Sequence, residues 1–324
     1  MRRIIECLIM TLILIGCGAS GKNHISHTSV TDDASTKESR KAIPVFEADS
    51  AWAYVAKQVS FGPRVPNTPA HERTAGWLAA ELQRHGAEVT LQKADLKAFD
   101  GTTLHSTNIM GSFNADKDDR LLLLAHYDTR PWADADPNPA NHSKPIDGAN
   151  DGASGVGVLL ELARIFTASD PGKGIDILFV DSEDYGTDGQ EDSWALGARY
   201  FAQNPIKEGY RASGAILLDM VGGKEAVFPA EYFSRRSAPA LDDAIRTAAA
   251  KAGHGDRFPY VMGSAVTDDH VELINAGIPA IDIIDYRIGR GFAPTWHTLD
   301  DNLSNIDKEA LRSVGETLVK YIYD

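Results

Sequence analysis

Apolar residues recur along the chain with two alternating spacings. Trp77, Leu78 and Leu82 lie on an alanine-rich stretch that stops at Gly86, which predicts a helix closed by a glycine. Val89 to Leu96 alternates apolar and polar residues, as a half-buried strand does. Leu121 to Ala125 is an unbroken apolar run bounded by charge, the pattern of a strand covered on both faces. Val156, Leu159, Leu160, Ala163 and Phe166 then return to helical spacing. Ile175 to Val180 predicts another buried strand, followed by a helix near Ser193 to Gln203. Strand 215–218, a helix over 241–252, strand 281–284 and an amphipathic helix carrying Leu311, Val314, Leu318 and Ile322 complete the series. Strands interleaved with helices predict an α/β fold, a largely parallel sheet with helices on both faces.

The composition narrows the class. With 324 residues and 43% hydrophobic content the chain is globular, and 46 acidic against 32 basic residues give a formal charge of −14, which argues against a nucleic-acid partner. Both cysteines lie in the first 17 residues, so the remainder has neither a disulfide framework nor thiol chemistry. Arg2-Arg3 ahead of an apolar stretch from Leu8 to Ile15 predicts a signal peptide over 1–16, too short to span a bilayer. Leu14-Ile15-Gly16-Cys17 resembles a bacterial lipobox, which makes Cys17 the expected lipid-carrying residue. The expectation is an exported, membrane-anchored lipoprotein facing the periplasm or the cell surface. Residues 17–41 are rich in Ser, Thr, Lys and Asp and lack aromatics, so they read as a flexible tether. Residues 42–324 read as one catalytic domain.

Polar residues gather where such a sheet would place a site, outside the carboxyl ends of its strands. The run 121–125 leads into His126-Tyr127-Asp128, 175–180 into Asp181-Ser182-Glu183-Asp184, and 215–218 into Asp219. The glycine-rich segment from Gly148 to Gly155 carries Asp151 into a helix, and Pro294-Thr295-Trp296-His297-Thr298 supplies a histidine. Taken singly, these are a solvated turn, a helix cap and a structural histidine. Together, Asp151, Asp184 and His297 make chemical sense as a zinc site of mixed oxygen and nitrogen ligands with an open fourth position. The histidine favours zinc over calcium or magnesium. Glu183, beside a ligand on a turn, is the natural general acid/base. Trp194 and Phe292 are candidate pocket walls, the loop from Trp132 to Lys144 is a candidate pocket mouth and reads as a solvated loop rather than a cation site, and Asp301-Asn302-Leu303 is expected to cap the last helical region. His85 and His254, beside glycines at helix ends, read as structural.

These residues, in this order, resemble the M28-type zinc aminopeptidase superfamily, and within it the glutaminyl-peptide cyclotransferases. The cyclase-like features are Phe61-Gly62-Pro63-Arg64, His126 to Arg130, Asp268-Asp269-His270, and Trp296 directly before His297. The resemblance runs from about residue 45 to the end. It implies a mixed, six-stranded, zinc aminopeptidase-like sheet and one zinc held by Asp151, Asp184 and His297. It also implies conversion of the N-terminal glutamine of peptides or proteins to pyroglutamate with release of ammonia. Glu183 would move the proton, Asp219 and Asp268 would form an acidic network with it, and Trp296 would line the pocket. Animal cyclases carry Glu-Glu where this chain has Glu183-Asp184, and their disulfide has no counterpart here. The main alternative is a two-zinc aminopeptidase, in which His126 and Asp219 join a bridging Asp151, with Asp128 behind His126. A surface-anchored binding module without activity is a third reading, and every expected ligand position is occupied against it. The natural substrates, the residue preferred after the glutamine, the oligomeric state and the choice of membrane are not legible in the sequence.

Overall fold

A computed structural model of the chain describes residues 43–287 and 289–324. The predicted signal peptide, Cys17 and the tether lie outside the described residues. Six strands form the main sheet: β1 (Glu88–Lys97), β2 (Thr103–Phe113), β3 (Arg120–His126), β4 (Gly174–Val180), β5 (Gly214–Asp219) and β6 (Ala280–Ile284), in the spatial order β1-β2-β4-β3-β5-β6. The pair β1–β2 and the pair β2–β4 are antiparallel, whereas β4, β3, β5 and β6 run parallel. A mixed, mostly parallel six-stranded sheet is therefore what the chain folds into.

Residues in the four parallel strands are almost all buried, which is why their sequences read as continuous apolar runs. Alternate residues feed opposite cores. Leu121, Leu123 and Ala125 join the larger core beneath α1 (Ala48–Val59), α2 (Pro69–Arg84), α3 (Ala153–Ala168), α6 (Pro239–Ala252) and α8 (Lys308–Tyr323). Leu122 and Leu124 join the smaller one beneath α4 (Leu196–Gln203) and α7 (Asp269–Asn275). Edge strand β1 is exposed or half-exposed throughout. Helix α3 is buried nearly all round, between the sheet and α1 and α8, so its mean composition is far more apolar than that of a surface helix.

Three local features depart from the sequence pattern. β2 is invisible to it because Thr103, His105, Ser106, Thr107 and Asn108 interrupt any apolar run. The helix expected from Ser193 begins at Leu196, because 191–193 form a 3₁₀ turn and Ala195 takes a left-handed conformation, φ 56°. The short helices α5 (Tyr232–Ser237) and α7 fall below the length at which periodicity is readable.

Candidate metal centre and catalytic pocket

Most of the strand-end residues converge above the carboxyl edge of the sheet, but Asp181 instead bonds His71 and Tyr127 and does not line the cavity. β3 ends in His126, β5 in Asp219, and the turn after β4 carries Glu183 and Asp184. That turn is tight: Ser182 adopts φ 59°, which swings the next two side chains back over the sheet. Asp128 holds them there, one oxygen accepting from the Glu183 N–H and the other from the Asp184 N–H, each at 3.1 Å. Asp151 arrives from the loop before α3, where Gly152 (φ 93°) makes a turn that a side chain would obstruct by meeting the Asp128 carbonyl. Asp301 accepts hydrogen bonds from the N–H groups of Asn150 and Asp151, at 2.7 and 3.0 Å. It therefore fixes the ligand loop, while the last helix is capped by Asp307. The expected capping role falls instead to Asn302, which caps the 303–305 turn.

Asp151, Asp184 and His297 come together as a buried group whose ligand atoms all lie within 4.8 Å of one another. His297 Nε2 stands 3.3 Å from Asp184 Oδ1 and 3.6 Å from Asp151 Oδ2. Both carboxylate oxygens of Asp184 are buried without a hydrogen-bond partner, a costly state that a divalent cation relieves. The donor set of two carboxylates and one imidazole suits zinc. On the far side of the imidazole, Nδ1 faces Asp134 at 3.4 Å, and Asp134 is gripped by Arg130. That carboxylate behind a histidine is the arrangement that fixes the tautomer of a metal ligand. Sequence reasoning missed Asp134, which carries no signal beyond its place four residues after Arg130.

A second buried group adjoins the first and shares Asp151. His126 Nε2 stands 3.1 Å from Asp151 Oδ1 and 3.2 Å from Asp219 Oδ1.

Electrostatics divide the carboxyls. Burial pushes Glu183 well above the usual range, and Asp268 and Asp184 add to this against the pull of His126. Burial likewise raises Asp219 to about 6 and Asp268 to about 7. Burial would lower His297, but Asp184, Asp134 and Asp151 together hold it up at about 9. Asp151 shifts the other way. Burial raises it, but His126, His297 and Arg130 outweigh this and keep it ionised. A cation held by these groups would bind Asp184 and His297 in their deprotonated forms.

Above the floor opens a cavity of 350 Å³ lined by Glu183, Asp219, Asp268, Trp194, Phe292 and Trp296, with the three candidate ligands at its base. The Trp296 ring stacks on His297 at 3.7 Å between centroids and packs against Phe292 at 4.8 Å. Trp194 lies beside His297 at 6.2 Å and carries the Arg130 guanidinium over its ring at 4.8 Å. Phe292 reaches the site on the hairpin β7 (Tyr286–Arg287) and β8 (Gly291–Phe292). A groove of 710 Å³ between α2 and the β1–β2 hairpin is larger, but none of the predicted site residues lines it. Arg64, from Phe61-Gly62-Pro63-Arg64, is fully buried and donates to the carbonyls of Tyr127, Asp147 and Gly148, which braces the Asp151 loop. His85 bonds Tyr54 and His254 bonds Glu316, both remote from the cavity.

The chain matches peptidase family M28 over residues 108–322. A glutaminyl cyclase from Bacteroides thetaiotaomicron, solved bound to N-acetylhistamine, is similar with 49% identity and a TM-score of 0.86, covering 87% of this chain and 99% of that one. A Zn-dependent exopeptidase from Parabacteroides distasonis is similar to the same degree, with 50% identity, a TM-score of 0.86, and coverage of 87% and 100%. The glutaminyl-peptide cyclotransferase of Bos taurus shares 24% identity over 250 residues, 67% of this chain and 66% of that protein, so the chain spans just under two thirds of this curated relative's length. The chain thus belongs to peptidase family M28, in the branch that holds the bacterial glutaminyl cyclases.

Proposed function

We propose that this chain is a zinc-dependent glutaminyl-peptide cyclotransferase that closes an N-terminal glutamine into pyroglutamate and releases ammonia. The α-amine nitrogen forms a bond to the γ-carbonyl carbon, and the bond from that carbon to the amide nitrogen breaks. Asp151, Asp184 and His297 hold one zinc, which when bound supplies a Lewis acid for the γ-carbonyl. Glu183 takes the proton that the attacking amine sheds and delivers it to the departing amide nitrogen, so one group serves as base and then acid. Its burial beside Asp268 and Asp184 raises its hold on a proton, which suits it to carry one between the two nitrogens. Trp296, Trp194 and Phe292 wall the cavity and keep the glutamine curled, and this enforced proximity contributes several kcal/mol in favourable cases, on the order of 7 or more.

The observation that carries this reading is the 49% identity along 87% of the chain with a glutaminyl cyclase. The His126, Asp151 and Asp219 group favours a second reading, a two-zinc aminopeptidase. Products separate the two. A glutaminyl peptide losing the mass of ammonia, with one zinc per chain, supports cyclisation, whereas release of a free amino acid with two zincs per chain sinks it. Competitive inhibition by N-acetylhistamine is a further expected result. The reading also includes export and anchoring through a lipid on Cys17, which would place peptides and proteins with N-terminal glutamine, as substrates, at the periplasmic or outer face of a membrane. Cys17→Ala should release the protein from the membrane fraction.

A further inference from the structure

Behind Asp268, on the side away from the cavity, lies the densest group of unpartnered polar atoms among the described residues. Both oxygens of Asp269, both oxygens of Asp282 and the Nδ1 of His270 are buried without a hydrogen-bond partner. Asp268, His270 and Asp282 form a third cluster with ligand atoms within 4.8 Å. Three elements build it: α7 supplies Asp269 and His270, β6 supplies Asp282, and the segment before α5 supplies Glu231.

Glu231 anchors the group and is a different kind of carboxylate. It accepts from the N–H groups of Phe233, Ser234 and Val266, from the Ser234 hydroxyl, and from His270 Nε2 at 3.1 Å. So many donors keep Glu231 ionised, with its pKa lowered to about 2 against the opposing effect of burial. His270 spends its Nε2 hydrogen there, and its Nδ1 looks toward Asp282 Oδ2 at 3.8 Å. The charged or titratable groups facing Asp269 and Asp282 are Asp268 at the N-cap of α7, His270 from α7, Asp219 from β5, Glu183 from the turn after β4, Glu231, and His126 and Asp128 at the end of β3. Lysine and arginine are absent from that set. Unpaired carboxylates in such a dry, negatively charged site shed their charge, because burying an isolated anion costs far more than taking up a proton.

We propose that Asp269 and Asp282 are carried as neutral, protonated acids, forming a proton-loaded floor beneath Asp268, with His270 and Glu231 as its anchor. The side chains that hold these protons never reach the cavity, so they are positioning residues: they keep Asp268 from facing bare negative charge from below. Protons fit better than a metal. The 3.8 Å from His270 Nδ1 to Asp282 is wider than the 3.3 Å and 3.6 Å contacts in the Asp151, Asp184 and His297 group. Asp151, Asp184 and His297 all line the cavity, whereas Asp269, His270 and Asp282 do not, so a cation has no open approach to them. Burial and the neighbouring carboxyls push both Asp269 and Asp282 well upward, in agreement with the geometry.

The link to Asp268 and catalysis rests on the cyclase reading, but the protonation state does not, so the test has two parts. In the zinc-loaded full chain at pH 7, infrared spectra should show protonated-carboxyl absorption that weakens in Asp282→Asn and again in Asp269→Asn, with one metal per chain in all three proteins. Because asparagine is a neutral isostere of the protonated acid, both variants should melt within a few degrees of the parent. With a glutaminyl peptide they should turn over within about threefold of it, and their activity should persist to higher pH than the parent's. Loss of this absorption from the parent spectrum, a second metal equivalent that disappears in Asp282→Asn, or a large drop in melting temperature rescued by Asp282→Glu would overturn the proposal. Where no ammonia is released by the parent, the infrared and melting results still decide the protonation claim, and only the cyclase reading falls.

Discussion

Glu183 and Asp184 are neighbours in sequence with different surroundings, and the difference comes from where their oxygens point. Asp184 turns two partnerless oxygens toward His297 and Asp151, while Glu183 lines the cavity under a raised pKa. Replacing Glu183 with Gln should therefore lower kcat by about 10²–10⁴-fold, the usual weight of a proton-transfer group, while zinc content by atomic absorption stays unchanged. Retained turnover would remove Glu183 from the chemistry. His297→Ala should instead empty the site of zinc. Asp301 makes a different demand, because it satisfies two backbone N–H groups of the ligand loop at once. Asp301→Ala leaves both donors buried and unpaired, at roughly 1–3 kcal/mol each. Zinc affinity, read by chelator competition, should fall about 10–100-fold, the range typical for loss of an outer-shell partner.

At the scale of elements, the site depends on how closely α3 lies on the sheet. Gly155 faces the Leu218 carbonyl and Ala125 so tightly that a methyl there overlaps both. Gly155→Ala should lower stability by about 1–3 kcal/mol, seen as a reduced melting temperature, and should lift Asp151 away from Asp184. The four parallel strands were legible in the sequence because burial on both faces writes a continuous apolar run, as in 121–125 and 175–180. Asp219, Glu183 and Asp184 were legible because each follows such a run at its carboxyl end. β2 was not, since it lies between β1 and β4 and its buried Ser106, Asn108 and Ser112 satisfy their polarity through neighbours instead of avoiding it. Asp134 and Asp301 were hidden for a related reason. Their partners, His297 and the Asp151 loop, lie some 150 or more residues away, and no local spacing encodes such a contact. Asp282 was equally silent, and Asp269 showed only as part of the cyclase-like Asp268-Asp269-His270, because an unpaired buried acid leaves no mark on periodicity.

For the whole molecule, the buried acids tie stability to pH in a direction opposite to most proteins. Asp219, Asp268 and Asp301 sit at about 6, 7 and 7 when folded, above an ordinary 3.8. Such groups bind protons more tightly in the folded state, so their contribution is fully present below 3.8 and is lost as pH rises through 6 to 7. His297, at about 9 against 6.5, extends the loss from 6.5 to 9. Each unit of displacement weighs about 1.4 kcal/mol. The metal-free protein should therefore melt at progressively lower temperature between pH 4 and pH 8. Zinc reverses the sign locally, because it binds the deprotonated ligands and stabilises more as pH increases. Parallel melting curves with zinc and with chelator should diverge toward alkaline pH, and curves that stay parallel would contradict these assignments.

Asp151 gives one oxygen to each of two adjoining histidines, His126 and His297. It is a hinge between two chambers whose walls are already built. To gain a second occupant the molecule need grow no new side chain. It need only exchange the contacts that His126 Nε2 makes with Asp151 and Asp219. On the cyclase reading proposed above, ring closure and peptide cleavage, outwardly distant talents, would then be separated by the tenancy of one small room.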